Sequence, residues 1–518
     1  SEEKTPAEKA KGLKTKQVVM VGQREQRSSP DCRIGVEESQ SDYSKLLMHY
    51  CRIYQGSSTG DDSKFVRYFW EVLNAEKWKN FLTTRDEHLF SGRRHVWDWE
   101  NENCELSKYP GARIQGFESI GKHGFAVAGS KSISFSLYFG ECYNKALATV
   151  ILDNISDNSA LWAFFQSGEF SRELRKLDKK LLITPGTFGK VPFDLEYWQK
   201  VAAEKYPDGL PKPHSDDPTQ WLFSGHPTGS DAPLQVAVAR MLGYRWPRLT
   251  GSSFPDCPAL GPDGLEKHAD ADGVVCVSMI QGVLSAVDRL RALLADVYGA
   301  EWGQEKQKEL LASVGFEGRQ LADWLRDGFF EQHCRLFQQR PFIWHVWDGN
   351  RSGFSALLNY HTLTRATLEK LIYTYLGDWI NRQRRAVDSG EEGSDARLEA
   401  ALGLKSKLEA ILEGEPPYDI FVRWKPLSKQ AMGWAPDLND GVRLNIRPFI
   451  LAGILRKNPK VNWGKDKGKE PQRERAEYPW FWAWDGESKD WPGGRQFTGE
   501  RFNDFHYSKS VKQKHLQA

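Results

Sequence analysis

The 518-residue chain has no apolar run of the ~18 residues that a membrane-crossing helix needs, so no span is expected. Its seven cysteines (Cys32, Cys51, Cys104, Cys142, Cys257, Cys276, Cys334) are odd in number, scattered, and contain no C-x-x-C pair. That pattern argues against a disulfide framework and a structural zinc site, and the expected location is the reducing cytoplasm. Charge of one sign does not dominate either. With 71 Lys plus Arg against 69 Asp plus Glu the chain is no polycation, and charge-driven binding has to be local. The phosphate-cradling patterns G-x-G-x-x-G and G-x-x-x-x-G-K-[ST] are missing, as are G-x-S-x-G and H-E-x-x-H. No P-loop, hydrolase elbow or zinc-protease helix is therefore expected. The chain opens on Ser1 with no apolar segment of a signal peptide behind it, and further amino-terminal sequence is expected to precede it.

Aromatic rings are abundant: 20 Trp, 17 Tyr and 27 Phe. Such rings fill cores or stack under flat ligands. The length calls for roughly two to four modules, since cores stop growing near 250 to 300 residues. Residues 1–45 are polar and read as a junction or tail. From 46 to 250, short aromatic and β-branched runs divided by Gly, Pro and Asp, such as 124–127, 133–139 and 146–152, predict strands with some helix. Helical spacing covers 161–182, up to the breaker Thr184-Pro185-Gly186. The Pro/Gly-rich stretch 244–272 marks a boundary placed near Thr250. Residues 251–415 are expected to be mainly helical, with amphipathic repeats over 279–298, 363–385 and 395–412. Residues 416–518 restart extended structure at Tyr418–Trp424 and form a basic, aromatic C-terminal module. The fold class is α+β: an α/β target-recognition module with a mixed sheet, a helical spacer, and a small strand-containing module.

Candidate binding residues are basic or aromatic. Arg456–Arg475 holds eight basic residues against three acidic ones, the clearest local charge excess. Trp97/Trp99 and Trp480/Trp482/Trp484 place rings at alternating positions, so in a strand each set shares a face, whereas Trp344 and Trp347 form a looser cluster three positions apart. Either a core face or a base-stacking platform answers to that pattern, and the Trp480–Trp484 cluster, close behind the basic tail, fits strand binding best. Lys64 and Arg67, beside the turn at Gly60, are placed to point from a sheet edge toward phosphate. Arg93-Arg94 and Arg382/Arg384/Arg385 are short clusters, the latter also suited to a helix C-terminus. His333 beside Cys334 and His345 near Asp348 are isolated neighbours and read as structural, so no metal site is expected.

Several segments together resemble the carboxy-terminal portion of large adenine-specific DNA methyltransferases, the type IIG-like enzymes of BREX and DISARM phage-defence systems. They are Tyr54–Val72, the Trp99-Glu100 context, Phe188–Phe223, Arg340–Gly349, Leu371–Arg385 and Tyr418–Trp463. The resemblance implies a target-recognition region opened by a TG-x-x-x-x-F turn, here Thr59, Gly60 and Phe65, and double-stranded DNA as partner. It also implies S-adenosylmethionine as methyl donor and a target adenine rotated out of the stack. The chain departs from the family at the chemistry. The Asp/Asn-Pro-Pro-aromatic tetrapeptide is absent, with neither Asp217-Pro218-Thr219-Gln220 nor Asn458-Pro459-Lys460-Val461 matching, and the F-x-G-x-G donor loop is missing. No catalytic residue is assigned, and S-adenosylmethionine is expected only in a catalytic domain or subunit outside this chain. Thr59, Gly60, Lys64, Arg67, Arg93, Arg94, Arg456, Lys457, Lys465 and Lys467 are the expected DNA contacts. A catalytically silent scaffold for other defence-system proteins, favoured by the near-zero net charge, and a carbohydrate-binding protein, suggested by the Trp content, are the other readings.

Overall fold

The computed structural model describes residues 5–15, 20, 22–24, 45–73, 77–83, 89–129, 133–251, 257–280, 284–415, 418, 422, 424–425, 427–461 and 513. The chain divides into two compact units whose segments alternate along the sequence. The first comprises Ser1–Gln55, Gly121–Tyr138 and Ala146–Leu210; the second comprises Gly56–Ile120, Phe139–Lys145 and Pro211–Ala518. Helices and strands mix in both, which is the expected α+β class. No helix among the described residues is long and apolar enough to cross a membrane.

The first unit is built on an antiparallel sheet in the order β1 (Cys51–Gln55), β8 (Leu147–Leu152), β5 (Gly124–Gly129), β6 (Ile133–Tyr138). Every residue of β5, β6 and β8 is buried, so these strands read as continuous apolar runs without polar alternation. The helix Asn158–Gln166 packs its rings on them: Phe165 stacks on Phe135 at 4.5 Å and meets Phe125 edge-on at 5.4 Å. The single helix expected over 161–182 is two, Asn158–Gln166 and Glu169–Leu177. Gly168 separates them at φ +74°, a left-handed conformation open to glycine at little cost.

The second unit holds two sheets. One is mixed, in the order β2 (Val66–Tyr68), β4 (His95–Asp98), β3 (Trp78–Leu82), β7 (Cys142–Tyr143), with β3 and β7 parallel. The other is antiparallel, in the order β10 (Ile343–Trp347), β11 (Ser355–Asn359), β9 (Val274–Cys276).

The segment expected to be a helical spacer thus has a buried sheet at its centre, and neither of its expected boundaries separates compact bodies. At the 250 boundary, the Pro/Gly-rich stretch is tied down: Arg240 grips Asp263 with two hydrogen bonds of 2.7 Å, and Asn359 Nδ2 donates to Leu242 O at 2.9 Å. At the 416 boundary, Trp434 packs edge-on against Trp344, and Leu455 bridges antiparallel to Val346 at the β10 edge. The helix expected over 363–385 is a composite of Arg365–Lys370, a π-helical stretch Leu371–Tyr375, and Leu376–Asp388. The helix expected over 395–412 is the 20-residue Ser394–Glu413. Most of the extended segment expected at 418–424 lies outside the described residues.

Candidate nucleic-acid interface

The turn that opens the expected interface is a backbone feature first. Gly60 sits at φ +73°, and a Cβ there would lie 2.5 Å from the Gly111 carbonyl carbon, so close chain approach and left-handed geometry both require glycine. Thr59 is buried and its hydroxyl hydrogen-bonds the Asp62 carboxylate at the start of the short helix Asp62–Phe65. Phe65 inserts into a cluster with Phe81, Trp97 and Leu106. Two of the three residues of the family turn therefore act in packing, and Gly60 alone of them is exposed.

The described cations nominated for phosphate already face carboxylates or carbonyls of this chain. Lys64 pairs with Glu105 and lies over the rings of Phe65 and Tyr109. Arg67, expected to point outward, is buried. Its Nη1 donates to the Ser63 and Val66 carbonyls at 2.8 Å, its Nε donates to Asn439 O at 3.2 Å, and its guanidinium lies near the rings of Trp78 and Trp424. Desolvation lowers its pKa, an effect the nearby Glu71 carboxylate opposes. Arg93 is likewise enclosed. It meets Glu141 at 2.9 Å with side-chain exposures of 0% and 2%, and burial again lowers its pKa against the pull of Glu141. In this conformation no phosphate reaches either guanidinium, which corrects the expectation for Arg67 and Arg93. The physical reason is the same for both: a carboxylate or several carbonyls around the guanidinium make burial of the charge tolerable.

Arg94 is partly exposed and meets Asp217 at 3.2 Å. Arg456 pairs with Asp327 at 2.7 Å and lies 4.0 Å over the Trp347 ring, while the more exposed Lys457 is 3.7 Å from Glu331. Lys465 and Lys467 lie outside the described residues, as does the Trp480–Trp484 cluster. Of the other aromatic sets, Trp97 stacks between Phe81 and Trp99 in the core, and Trp344 is buried against Tyr360 and Phe449. By contrast Arg382, Arg384 and Arg385 are exposed at the end of Leu376–Asp388 and make no ion pair among the described residues.

Of the two segments compared with the tetrapeptide, the one at Asp217 has its carboxylate already engaged. The Asp217 carboxylate takes the Thr219 N–H at 2.8 Å and hydroxyl at 2.7 Å, a local turn, and is also bound to Arg94. Glu415-Pro416-Pro417-Tyr418 is a nearer match to the tetrapeptide, keeping the proline pair and the ring with a glutamate one methylene longer than aspartate. It follows the C-cap Gly414, and the Tyr418 N–H donates to Glu415 O at 2.8 Å; the two prolines lie outside the described residues. No group of three or more His, Cys, Asp or Glu suited to a metal ion occurs among the described residues.

No protein-family model matches the chain. A stretch of 93 residues, 17% of this chain, is 31% identical to the adenine-specific methyltransferase PglX of Lacticaseibacillus casei (strain Zhang). That stretch covers 8% of the length of PglX, so the chain shares a limited region with a much longer relative.

Proposed function

We propose that this chain is a DNA recognition and positioning part of an adenine-specific (N6) DNA methyltransferase of a restriction-modification or phage-defence system, with methyl transfer carried by another domain or subunit. The similarity to the adenine-specific methyltransferase PglX is the observation that carries this reading. It is supported by the missing Asp/Asn-Pro-Pro-aromatic tetrapeptide and donor loop. Methylating an exocyclic amine needs paired acceptors on the nitrogen and a donor held in line with it. S-adenosylmethionine then belongs to the catalytic partner, and the partners of this chain are double-stranded DNA and that catalytic domain.

The second reading, a silent scaffold of a defence complex, is favoured by one observation: Lys64, Arg93, Arg94 and Arg456 already face carboxylates. Duplex binding measured by fluorescence anisotropy across a salt series separates the two, because phosphate contacts give a linear fall of log K with log salt and a scaffold has no such slope. The expected result is salt-dependent binding and no incorporation of labelled methyl groups by the chain alone. Absence of binding at low salt defeats the recognition reading. Incorporation without a partner defeats the division of labour and directs attention to Glu415.

A further inference from the structure

In the first unit, the helix Glu169–Leu177 buries Phe170 and Leu174 and carries Arg172, Arg175 and Lys176 on its opposite side. Its C-terminal turn is folded back on it, with Arg175 Nη1 donating to Lys180 O at 2.5 Å and Lys180 N donating to Asp178 Oδ1 at 2.9 Å. This brings Lys179 and Lys180 alongside the helix. Residues 172–180 then hold five cations against Glu173 and Asp178. Lys176 pairs with Glu173 at 2.9 Å, whereas Arg172, Lys179 and Lys180 have no carboxylate partner among the described residues.

The next two residues are Leu181 and Leu182, 74% and 62% exposed, after which the chain returns to the core at Ile183 (3% exposed). The Ile183 N–H donates to Gly129 O at 2.8 Å at the end of β5. The leucine pair is thus held out between two anchored points, Lys180 O and Ile183 N. Scattered surface leucines are ordinary, but an adjacent pair beside uncompensated cations fits a polyanion with apolar surface between its charges. Duplex DNA is such a partner, with phosphates flanking grooves whose floor is stacked bases. An anionic membrane fits less well, since an interfacial helix inserts a broad apolar face and here Phe170 and Leu174 are turned inward.

We propose that Leu181 and Leu182 form a wedge that enters a groove of duplex DNA and partly unstacks a base step, while Arg172, Lys179 and Lys180 hold the flanking phosphates. The inference rests on the proposed function and deepens it, because a base that is to be modified has to leave the stack. The test uses the full chain and a short duplex labelled at both ends for energy transfer, with anisotropy read in parallel. Wild type is expected to bind and bend the duplex. A Leu181→Ser/Leu182→Ser variant should bind with an unchanged salt slope and lose the bend. An Arg172→Gln/Lys179→Gln/Lys180→Gln variant should lower the slope of log K against log salt by up to ~3, about 0.9 per phosphate contact. All five positions are at the surface, and an unchanged melting temperature confirms folding. A leucine variant that still bends DNA, or a cation variant with the wild-type slope, overturns the wedge and leaves the recognition reading standing. Binding to phosphatidylserine vesicles that both variants abolish, with DNA binding intact, reassigns the patch to membrane. If wild type binds no duplex at all, the recognition reading falls and takes the wedge with it.

Discussion

Acid should destabilise the second unit once the pH falls below about 6.5, because three of its histidines are buried neutral. His333 is fixed as one tautomer: the Ile343 N–H donates to its Nε2 at 3.1 Å, so Nδ1 carries the proton and donates to Gln235 Oε1 at 3.1 Å. A second proton would face an N–H already pointing at it. His361 donates from Nε2 to Trp70 O at 2.8 Å, and neither ring nitrogen of His345 has a hydrogen-bond partner among the described residues. Burial pushes His333 and His345 down to about 3 and His361 to about 4. In the unfolded chain each titrates near 6.5. The unfolded state therefore binds more protons throughout the window from 6.5 down to the folded values, and stability is full above that window and falls with pH inside it. At pH 5 each ring removes about 2 kcal/mol and the three together about 6, from a typical total of 5–15. Burial raises Asp348 and Asp440, which pulls the other way, so substitution is needed to isolate the histidine share. Urea unfolding followed by tryptophan emission at pH 7.5 and pH 5, at fixed ionic strength, reads the loss. His345→Leu, which removes no hydrogen bond to a described residue, should shrink the pH difference by about 2 kcal/mol. A His345→Leu protein with the wild-type pH difference would refute the reasoning.

Two further perturbations test the interior of the same unit. Glu141→Ala leaves Arg93 charged and enclosed, and should cost about 3–5 kcal/mol by thermal or urea denaturation, whereas an exposed pair such as Lys308–Glu305 should lose under ~1 kcal/mol on the same treatment. Gly60→Ala forces a Cβ into the Gly111 backbone at φ +73° and should destabilise by at least ~1–2 kcal/mol, while Gly111→Ala, whose Cβ would stand 3.4 Å from Gly60, should be nearly neutral; equal melting temperatures for the two variants would show that the turn relaxes.

What the residues announce and what they conceal divides along a physical line. Local signals were readable: the apolar run Leu147–Leu152 is a buried strand, and the repeats over 395–412 are one long helix. Contacts made at long range were not. Arg67 and Arg93 look like surface cations in their own neighbourhoods, and only Asn439, 372 positions away, and Glu141, in a different segment of the same unit, make them interior residues. The same holds for the stretch 244–272, whose composition is that of a linker until Asp263 meets Arg240. Local composition also gave no warning that Arg382, Arg384 and Arg385 make no ion pair among the described residues while Arg94 does.

For function this means that counting basic residues is a poor guide to where a polyanion is held. A guanidinium already facing a carboxylate has given up most of the field it would offer a phosphate, and recruiting it requires breaking the existing pair. The cations with a field to offer are those without a carboxylate partner among the described residues, and in the first unit Arg172, Lys179 and Lys180 are three such cations beside two exposed leucines. If DNA binding is to be found in this chain, charge reversal at Lys179 and Lys180 should weaken it more than charge reversal at Arg94 and Lys457, although the latter pair was the better candidate on sequence alone. The two double variants, compared by anisotropy at one salt concentration, decide the point; a larger loss from Arg94 and Lys457 would show that the pairs seen at Asp217 and Glu331 open to admit phosphate.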